Sequence, residues 1–285
     1  MLKLDSCWKV AFALIISLAT SCLVYAQESE NKLHWHAGHM QLLNLAELNL
    51  GDQYVYLDAK DAKALLTKMG NFPDDNTLAL IGSKDEGQNW FVEITYDDSG
   101  YVKDDEAKEW NADELLESIK QGTDAANEER AKQGIPALNI IGWAEKPHYD
   151  AQAHKVEWSV LARSADEQPG DETVNYKTLT LGRDGYIAMN LVTSNNTLPQ
   201  DRAHITTLLN NLHYFEGKRY SDFNSTTDKV AALGLTALVA GVAAKTGLLA
   251  KLLALAVAFK KFIVIGVVLA FGFIKSIFGK LFGKK

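Results

Sequence analysis

The sequence predicts an α+β domain, built on an antiparallel sheet with flanking helices, which is followed by a C-terminal transmembrane helix region. Strand-like segments that follow one another between residues 138 and 193 predict the sheet, and amphipathic segments before and after them predict the helices. Residues 230–285 predict the membrane region, because they contain no Asp or Glu and their only charged residues are lysines.

Residues 1–26 are typical of a secretory signal peptide. Lys3 and Lys9 give the segment a positive start, an apolar run follows, and its last three residues are small or apolar, as a signal peptidase requires. An uncleaved anchor is the alternative, although an apolar run of about 15 residues is short for a membrane span. Both cysteines, Cys7 and Cys22, lie in this segment, so the cleaved chain would contain no disulfide.

Residues 27–216 form the predicted extracytoplasmic domain, whose first half alternates strands with helices. Asp58 is suited to cap a helix that Gly70 ends. Asn111 and Glu114 have the spacing of a capping box for a longer helix. Strands are predicted at residues 42–50 and 54–57, around Gly51-Asp52, and at residues 77–82 and 90–96, with a hairpin turn at residues 97–100 and the end of the longer helix at Gly134.

The second half of the domain is predicted to be mainly β. Asp184-Gly185 predicts a two-residue hairpin between its last two strands. Pro199 suits the first turn of a helix, and the apolar residues that follow it share one side. The predicted strands are residues 138–143, 154–163, 173–183 and 186–193, and the apolar side of the helix is Ile205, Leu208, Leu209 and Leu212.

The segment after the domain is predicted to lead into a membrane. Residues 217–229 are predicted to be a juxtamembrane linker, in which Arg219 and Tyr220 suit the level of the lipid headgroups. Residues 230–259 are predicted to be an apolar helix that is interfacial or within the membrane, and residues 260–285 a transmembrane helix with a basic tail.

Two topologies are open for this region. In the first, residues 262–278 span once, and Lys275 extends its ammonium to the headgroups. In the second, two spans form a hairpin with Lys260 and Lys261 in its turn. The excess of lysines on the cytoplasmic side of membrane proteins favours the single span, because it places the basic C-terminus inside.

Small residues recur in the first apolar stretch. Ala237 and Gly241, and likewise Ala240 and Ala244, are four positions apart. On a membrane helix this spacing lets a second helix approach closely, so the tail is a candidate for homo-oligomer formation. The alternative is that Ala and Gly are simply common in membrane helices.

Charge is segregated along the chain. Of 29 basic and 36 acidic residues, ten lysines and one aspartate lie outside residues 27–229, which leaves 19 and 35 within them and a net charge of −16. A surface of this sign repels nucleic acid, so no nucleic-acid partner is expected. The expected partners are the lipid bilayer and another envelope protein.

Four blocks of the sequence resemble a known family. The chain resembles, from Trp35 onward, an uncharacterised family of membrane-anchored bacterial proteins, a domain of unknown function. The resemblance implies a signal peptide, an extracytoplasmic domain at the inner membrane and a C-terminal anchor, but no activity or catalytic residue. One departure is His39 after Gly38, where the family has Gly-Pro. The blocks are GYVKDDEA (100–107), ANEERAKQGIPALNIIGWAEKPHYD (126–150), VNYKTLTLGRDGYIAMNLV (174–192) and GKRYSDFNSTTDKVAALGLTALVAG (217–241).

Three histidines near the start of the domain are candidate metal ligands. His34, His36 and His39 lie within six residues, and imidazoles suit a divalent transition metal. A polar strand near the mature N-terminus is the simpler interpretation, because no carboxylate lies at an evident ligand spacing. No cofactor is expected.

Two pairs of residues are candidates for acid–base chemistry. Asp104 and Asp105 belong to an acidic stretch, and paired carboxylates can share a proton or bind Ca²⁺. His148 and Asp150 would lie on one side of a strand, with Tyr149 on the other. Solvated turn residues and an ordinary strand end are the competing interpretations. The common hydrolase and nucleotide-binding motifs are absent from the sequence.

The sequence therefore favours a non-enzymatic, membrane-tethered extracytoplasmic module for binding or envelope assembly. A hydrolase or metal-dependent enzyme that uses His148 with Asp150, or Asp104 with Asp105, is the first alternative. A lipid-binding or small-ligand-binding domain with a cleft on its sheet is the second.

Overall fold

The structure, a computed structural model, describes residues 33–85, 87–108 and 110–241. Its main element is an eight-stranded sheet in the order β1-β4-β5-β6-β10-β9-β8-β7, in which all neighbours are antiparallel. This confirms the predicted antiparallel sheet. The strands are β1 (His36–Ala37), β4 (Tyr54–Asp58), β5 (Thr77–Ser83), β6 (Phe91–Asp97), β7 (Leu138–Asp150), β8 (Lys155–Ser164), β9 (Thr173–Leu181) and β10 (Tyr186–Ser194).

A second, three-stranded sheet packs on one face of the first. Its order is β11-β3-β2, formed by β2 (His39–Leu42), β3 (Ala46–Asn49) and β11 (Leu212–Tyr214). Helix α3 (Leu198–Asn210) accompanies it, as predicted around Pro199. Strand β10 sends Ile187, Met189 and Leu191 into the core between the two layers, since alternate residues of a strand share a face.

The opposite face of the large sheet carries the other two long helices. Helix α1 (Ala59–Lys68) buries Ala62 and Leu66 against β4 and β5. Helix α2 (Ala112–Lys132) buries Leu115 in a cluster with Trp158 and other residues of β8. The two helices therefore cover the two sides of this face, and the middle strands β6, β10 and β9 lie between them.

Local signals set the ends of these helices. The Asp58 carboxylate accepts a hydrogen bond from the Asp61 amide at 3.0 Å, and Asn111 Oδ1 accepts one from the Asp113 amide at 3.1 Å. Each side chain satisfies a donor that the first turn leaves free. The helix starts predicted at Asp58 and Asn111 are confirmed.

The structure corrects the first predicted strand. In place of one strand over residues 42–50, the chain ends β2 at Leu42 and forms β3 from Ala46 to Asn49, and the two strands pair with each other. The chain reverses after Leu42, where Leu43 adopts a left-handed φ of 54°. Strand β4 belongs to the large sheet, so Gly51-Asp52 connects two sheets.

Two predicted turns also change. Residues 97–100 are not a hairpin, because β6 pairs with β5 and β10 and the chain leaves the sheet after Asp97. The hairpin between β9 and β10 is confirmed. The Gly182 amide donates to the Gly185 carbonyl at 2.7 Å, so the two turn residues are Arg183 and Asp184, one position earlier than predicted.

Residues 217–231, predicted largely as a linker, are packed on the domain, and we call their attachment the clasp. Arg183 binds Asp228 through two hydrogen bonds, of 2.7 Å from Nε and 2.8 Å from Nη2. The backbone of Tyr101 exchanges hydrogen bonds with Lys229 and Ala231, and the buried Tyr220 donates its hydroxyl to the Val102 carbonyl at 2.9 Å.

The predicted helix over residues 230–259 does not begin at Val230. That residue forms a parallel bridge with Tyr101, and the helix here is the short α4 (Leu235–Val239). Gly241 then has φ +75°, which ends the helical path, since left-handed backbone breaks a right-handed helix. Within the described residues, no helix is long and apolar enough to cross a membrane. Residues 1–26, most of 230–259 and all of 260–285 lie outside the described part.

Candidate functional site

A row of polar side chains crosses the middle of the large sheet on its helix-bearing face. Glu93 of β6 pairs with Asn190 of β10, Asn190 pairs with Lys177 of β9, and Lys177 pairs with Trp158 of β8. Directly paired residues of antiparallel strands point to the same side of the sheet. We call Glu93, Asn190 and Lys177 the polar row.

The polar row lies in a cleft of about 240 Å³. Trp158, Leu179 and Ala188 give the cleft an apolar part beside the row, and Leu238 and Gly241 of the C-terminal segment line it from outside the sheet. The cleft therefore combines a few converging polar groups with an apolar wall, which is the usual composition of a small-ligand site.

The polar row is incompletely paired. Asn190 Nδ2 donates to Asn175 Oδ1 at 3.2 Å, but Asn190 Oδ1 is buried without a hydrogen-bond partner. No ion pair of Lys177 is formed among the described residues. Buried polar atoms are nearly always satisfied, so an orphan acceptor here indicates a missing donor.

The cleft also shifts the protonation of its ionisable groups. Burial raises the pKa of Glu93, and a hydrogen bond from Thr77 Oγ1 at 3.1 Å opposes this only in part. The Lys177 side chain is exposed to the cleft, yet desolvation by the surrounding protein lowers its pKa, with the Glu93 carboxylate acting in the opposite direction. Perturbed acids and bases that share a cleft are typical of functional sites.

A second polar cluster lies where β7 meets the segment before α2. The Tyr149 hydroxyl donates to Asp104 Oδ2 at 2.6 Å, and His154 Nδ1 lies 3.4 Å from that hydroxyl and 4.0 Å from Asp104 Oδ2. Burial and the bond to Asp104 raise the pKa of Tyr149. The His154 ring is 4.3 Å from the ring of Tyr220. This cluster therefore supports the clasp.

In the structure, Asp104 and Asp150 of the predicted acid–base pairs make hydrogen bonds to other residues. Asp104 bonds to Tyr149, whereas Asp105 is exposed at the start of a short 3-10 helix, Asp105–Lys108. Asp150 accepts hydrogen bonds from the amides of Gln152 and Ala153 at 2.9 and 3.1 Å, which lower its pKa. His148 is exposed beside it. Asp150 thus stabilises the turn after β7.

The three candidate metal ligands have three separate partners. His34 Nδ1 lies 3.0 Å from Asp61 Oδ2, the His36 ring contacts the Tyr56 ring with centroids 5.2 Å apart, and His39 Nε2 lies 3.5 Å from Glu47 Oε2. Among the residues that the structure describes, no group of three ligating side chains could hold a metal ion.

The membrane-facing candidates are only partly within the described residues. Tyr220 is buried and engaged in the clasp, so its side chain is not available to lipid in this structure, whereas Arg219 is exposed. Ala237 lies in α4, but Gly241 has left-handed backbone, so Ala237 and Gly241 do not lie on one helical face here. Ala240 packs against the domain. Lys260, Lys261, Lys275 and Ala244 lie outside the described part.

The polar row was missed by sequence reasoning. Its members belong to three different strands, and only the pairing β6-β10-β9 brings them together. One signal was present: Glu93, Lys177 and Asn190 alternate with apolar residues, and Val92, Tyr176 and Met189 beside them are buried. When one face of a central strand is buried, a polar residue on its other face points either to solvent or into a binding site.

The fold and the cleft define the class of this protein, an α+β domain with a small polar cleft on the helix-bearing face of an antiparallel sheet. The chain belongs to the family described as "Protein of unknown function (DUF2167)", whose model matches residues 34–272. This confirms the resemblance to an uncharacterised family. No curated protein matches the chain.

Several solved structures are similar to part of the chain. One of them is the solution structure of cyanobacterial PsbP (CyanoP) from Synechocystis sp. PCC 6803, with 12% sequence identity, a TM-score of 0.38, and coverage of 65% of this chain and 94% of that chain. At this level the likeness carries no conclusion about function.

Proposed function

We propose that this protein is a membrane-anchored extracytoplasmic binding module whose ligand site is the cleft around the polar row. The observation that carries the proposal is the buried Asn190 Oδ1, which has no hydrogen-bond partner although it lies between an acid and a base. An unpaired buried acceptor costs roughly 1–3 kcal/mol, and a ligand that donates to it would remove this cost.

The sequence supports the location in this proposal. A signal-like N-terminus and a lysine-flanked apolar C-terminus suit a domain held on the outer side of the bacterial inner membrane. The bilayer would be one partner. Another envelope protein, or a second copy bound through the tail, would be the assembly partner. No observation favours the hydrolase alternative, because Asp104 and Asp150 already serve structural hydrogen bonds.

Native mass spectrometry of the full-length protein, released from bacterial membranes in detergent, tests the ligand site. We expect the native protein to retain a small-molecule mass that is lost from Lys177→Met. Lys103→Met is the matched control, since Lys103 is an exposed lysine outside the cleft. A retained mass that survives Lys177→Met would place the ligand elsewhere.

Thiol labelling tests the location. Ser29→Cys and Gly283→Cys introduce single thiols into a chain whose natural cysteines both lie in the predicted signal. With a maleimide that cannot cross the inner membrane, we expect position 29 to label in intact cells and position 283 only after permeabilisation. Labelling of both in intact cells would establish the hairpin topology, and labelling of neither would contradict the extracytoplasmic domain.

A further inference from the structure

The charge pattern of the polar row restricts the ligand. The row has an acid at one end, an uncharged acceptor in the middle and a base at the other end. Glu93 and Lys177 are two strand spacings apart, roughly 9–10 Å between backbones. A purely anionic ligand at Lys177 would face the Glu93 carboxylate, and a purely cationic one would face Lys177.

The acceptors that remain free are grouped at one end. Thr77 donates to Glu93 Oε1, and among the described residues no donor reaches Oε2. Asn190 Oδ1 is the neighbouring acceptor without a partner, and because it is buried, a ligand reaches it only when the side chains over it move aside. A protonated amine carries several N–H donors in one compact group, so it can satisfy both oxygens together. The Lys177 ammonium, at the other end, is suited to a carboxylate.

The size of the cleft sets the scale of the ligand. The volume of the cleft is about 240 Å³. This is below the range of about 300–1,000 Å³ that is typical for drug-sized ligands. Beside the row, Trp158 and Leu179 provide an apolar surface for an uncharged part of the ligand.

From this geometry, and resting on the proposed function, we infer that the cleft binds a small zwitterion of amino-acid type. Its amine lies against Asn190 Oδ1 and Glu93, its carboxylate against Lys177, and its side chain against Trp158. The competing arrangement is internal, with Lys177 turned towards Asn190 and Glu93 so that the row closes on itself without a ligand.

The test uses the full-length protein in detergent and the common L-amino acids as probes in a thermal-shift screen. The best probe is then compared, by calorimetric titration, with its N-acetyl derivative, which lacks the positive charge, and its amide, which lacks the negative charge. We expect the free amino acid to bind about tenfold or more tightly than either derivative, because each derivative leaves one charged end of the row unpaired.

Two variants assign the ends. Glu93→Gln should abolish the preference for the free amino acid over the N-acetyl derivative and keep the preference over the amide. Lys177→Met should do the reverse, and Lys103→Met should change neither. Thermal melts of each variant establish that it folds. In a further variant, Asn190→Ala, the binding of every probe should be weaker.

The outcomes separate the inference from the proposed function. If no amino acid binds, or if the blocked derivatives bind equally well, the zwitterion inference is overturned. If a mass that depends on Lys177 is nevertheless retained in native mass spectrometry, the binding module stands with a different ligand class. If no mass is retained and no probe binds, the row closes on itself and both ideas fail.

Discussion

The clasp and the cleft lie on the same domain but treat their polar groups in opposite ways. In the clasp, Asp228 accepts two hydrogen bonds from Arg183 and others from the Asn224 amide at 2.7 Å and Thr227 Oγ1 at 2.8 Å. In the cleft, Asn190 Oδ1 has no partner, and among the described residues Lys177 has no ion pair.

The difference separates polar groups that stabilise the fold from polar groups that reduce its stability. Removing one member of a satisfied network leaves its partners unpaired, which costs stability. Removing a desolvated group that lacks a partner relieves a cost. Substitutions in the clasp should therefore destabilise the domain, and substitutions in the polar row should not.

The largest effect is expected from Gly100→Ala, which breaks the clasp at its backbone. Gly100 has φ +105°, and a Cβ there would lie 2.6 Å from the Lys229 carbonyl oxygen. We expect the free energy of unfolding to fall by roughly 3 kcal/mol or more, from backbone strain and the displaced segment.

Gly217→Ala is the matched control for this substitution. Gly217 has φ +78°, but a Cβ would meet nothing within 4 Å. Gly217→Ala should therefore lower the free energy of unfolding only by the backbone strain, about 1–2 kcal/mol. Urea denaturation of the two variants measures the difference. Equal losses would show that the contact between Gly100 and Lys229 does not stabilise the domain.

A smaller loss is expected from Tyr220→Phe. The variant keeps the ring stacked on Tyr101, with centroids 4.4 Å apart, but leaves the Val102 carbonyl without its 2.9 Å hydrogen bond. We expect a loss of about 1–2 kcal/mol in chemical denaturation. Tyr56→Phe should be close to neutral, since the Tyr56 hydroxyl makes no hydrogen bond to any residue that the structure describes. If Tyr220→Phe unfolds with the same free energy as the native protein, the Tyr220 hydroxyl does not contribute to the stability of the clasp.

The acid side of the clasp makes a prediction about pH. The hydrogen bond from Arg183, followed by that from the Asn224 amide, lowers the pKa of Asp228 below its ordinary 3.8. A depressed carboxyl pKa contributes stability above the unfolded-state pKa, and this contribution is lost as the pH falls towards the folded-state pKa. The melting temperature of Asp228→Asn should therefore fall below that of the native protein at pH 7, and the gap should narrow below about pH 4.

Asp52→Asn is the control for this pH profile, because Asp52 is exposed and makes no hydrogen bond within the described part. Its melting temperature should follow that of the native protein at each pH. A gap for Asp228→Asn that stays constant from pH 7 to pH 3 would mean that the carboxylate charge does not contribute to the clasp.

The contrast between the two regions also explains what the sequence could predict. The helix starts at Asp58 and Asn111 were predictable, because a capping side chain bonds to an amide only two or three residues away. The β9–β10 hairpin was predictable for the same reason, apart from one position. These features depend on neighbours in the chain.

The polar row and the clasp depend on distant neighbours. Glu93 and Asn190 meet because β10 inserts between β6 and β9, and no local pattern specifies that strand order. Tyr149 bonds to Asp104 across two elements, and neither predicted pair, His148 with Asp150 or Asp104 with Asp105, included this contact. Tyr220 is an amphipathic residue that suited the level of the lipid headgroups, but its ring packs in a hydrophobic cluster of the domain.

The smallest effect on stability, with the opposite sign, is expected from Glu93→Gln. Burial raises the pKa of Glu93, so the folded state binds this proton more tightly than the unfolded state does. The resulting stability is complete below the unfolded-state pKa of 4.5 and is lost as the pH rises through the folded-state pKa. Glutamine keeps an acceptor for Thr77 without the charge, so the variant should melt higher than the native protein at pH 7 and match it near pH 4.

Glu216→Gln, at an exposed glutamate without a hydrogen bond among the described residues, should leave the melting temperature unchanged at both values of pH. A rise in stability at pH 7 together with a loss of amine recognition would show that Glu93 is retained for binding at a cost to the fold. A fall in stability at pH 7 would instead give Glu93 the same role as the clasp residues, and the distinction between the two regions would not hold.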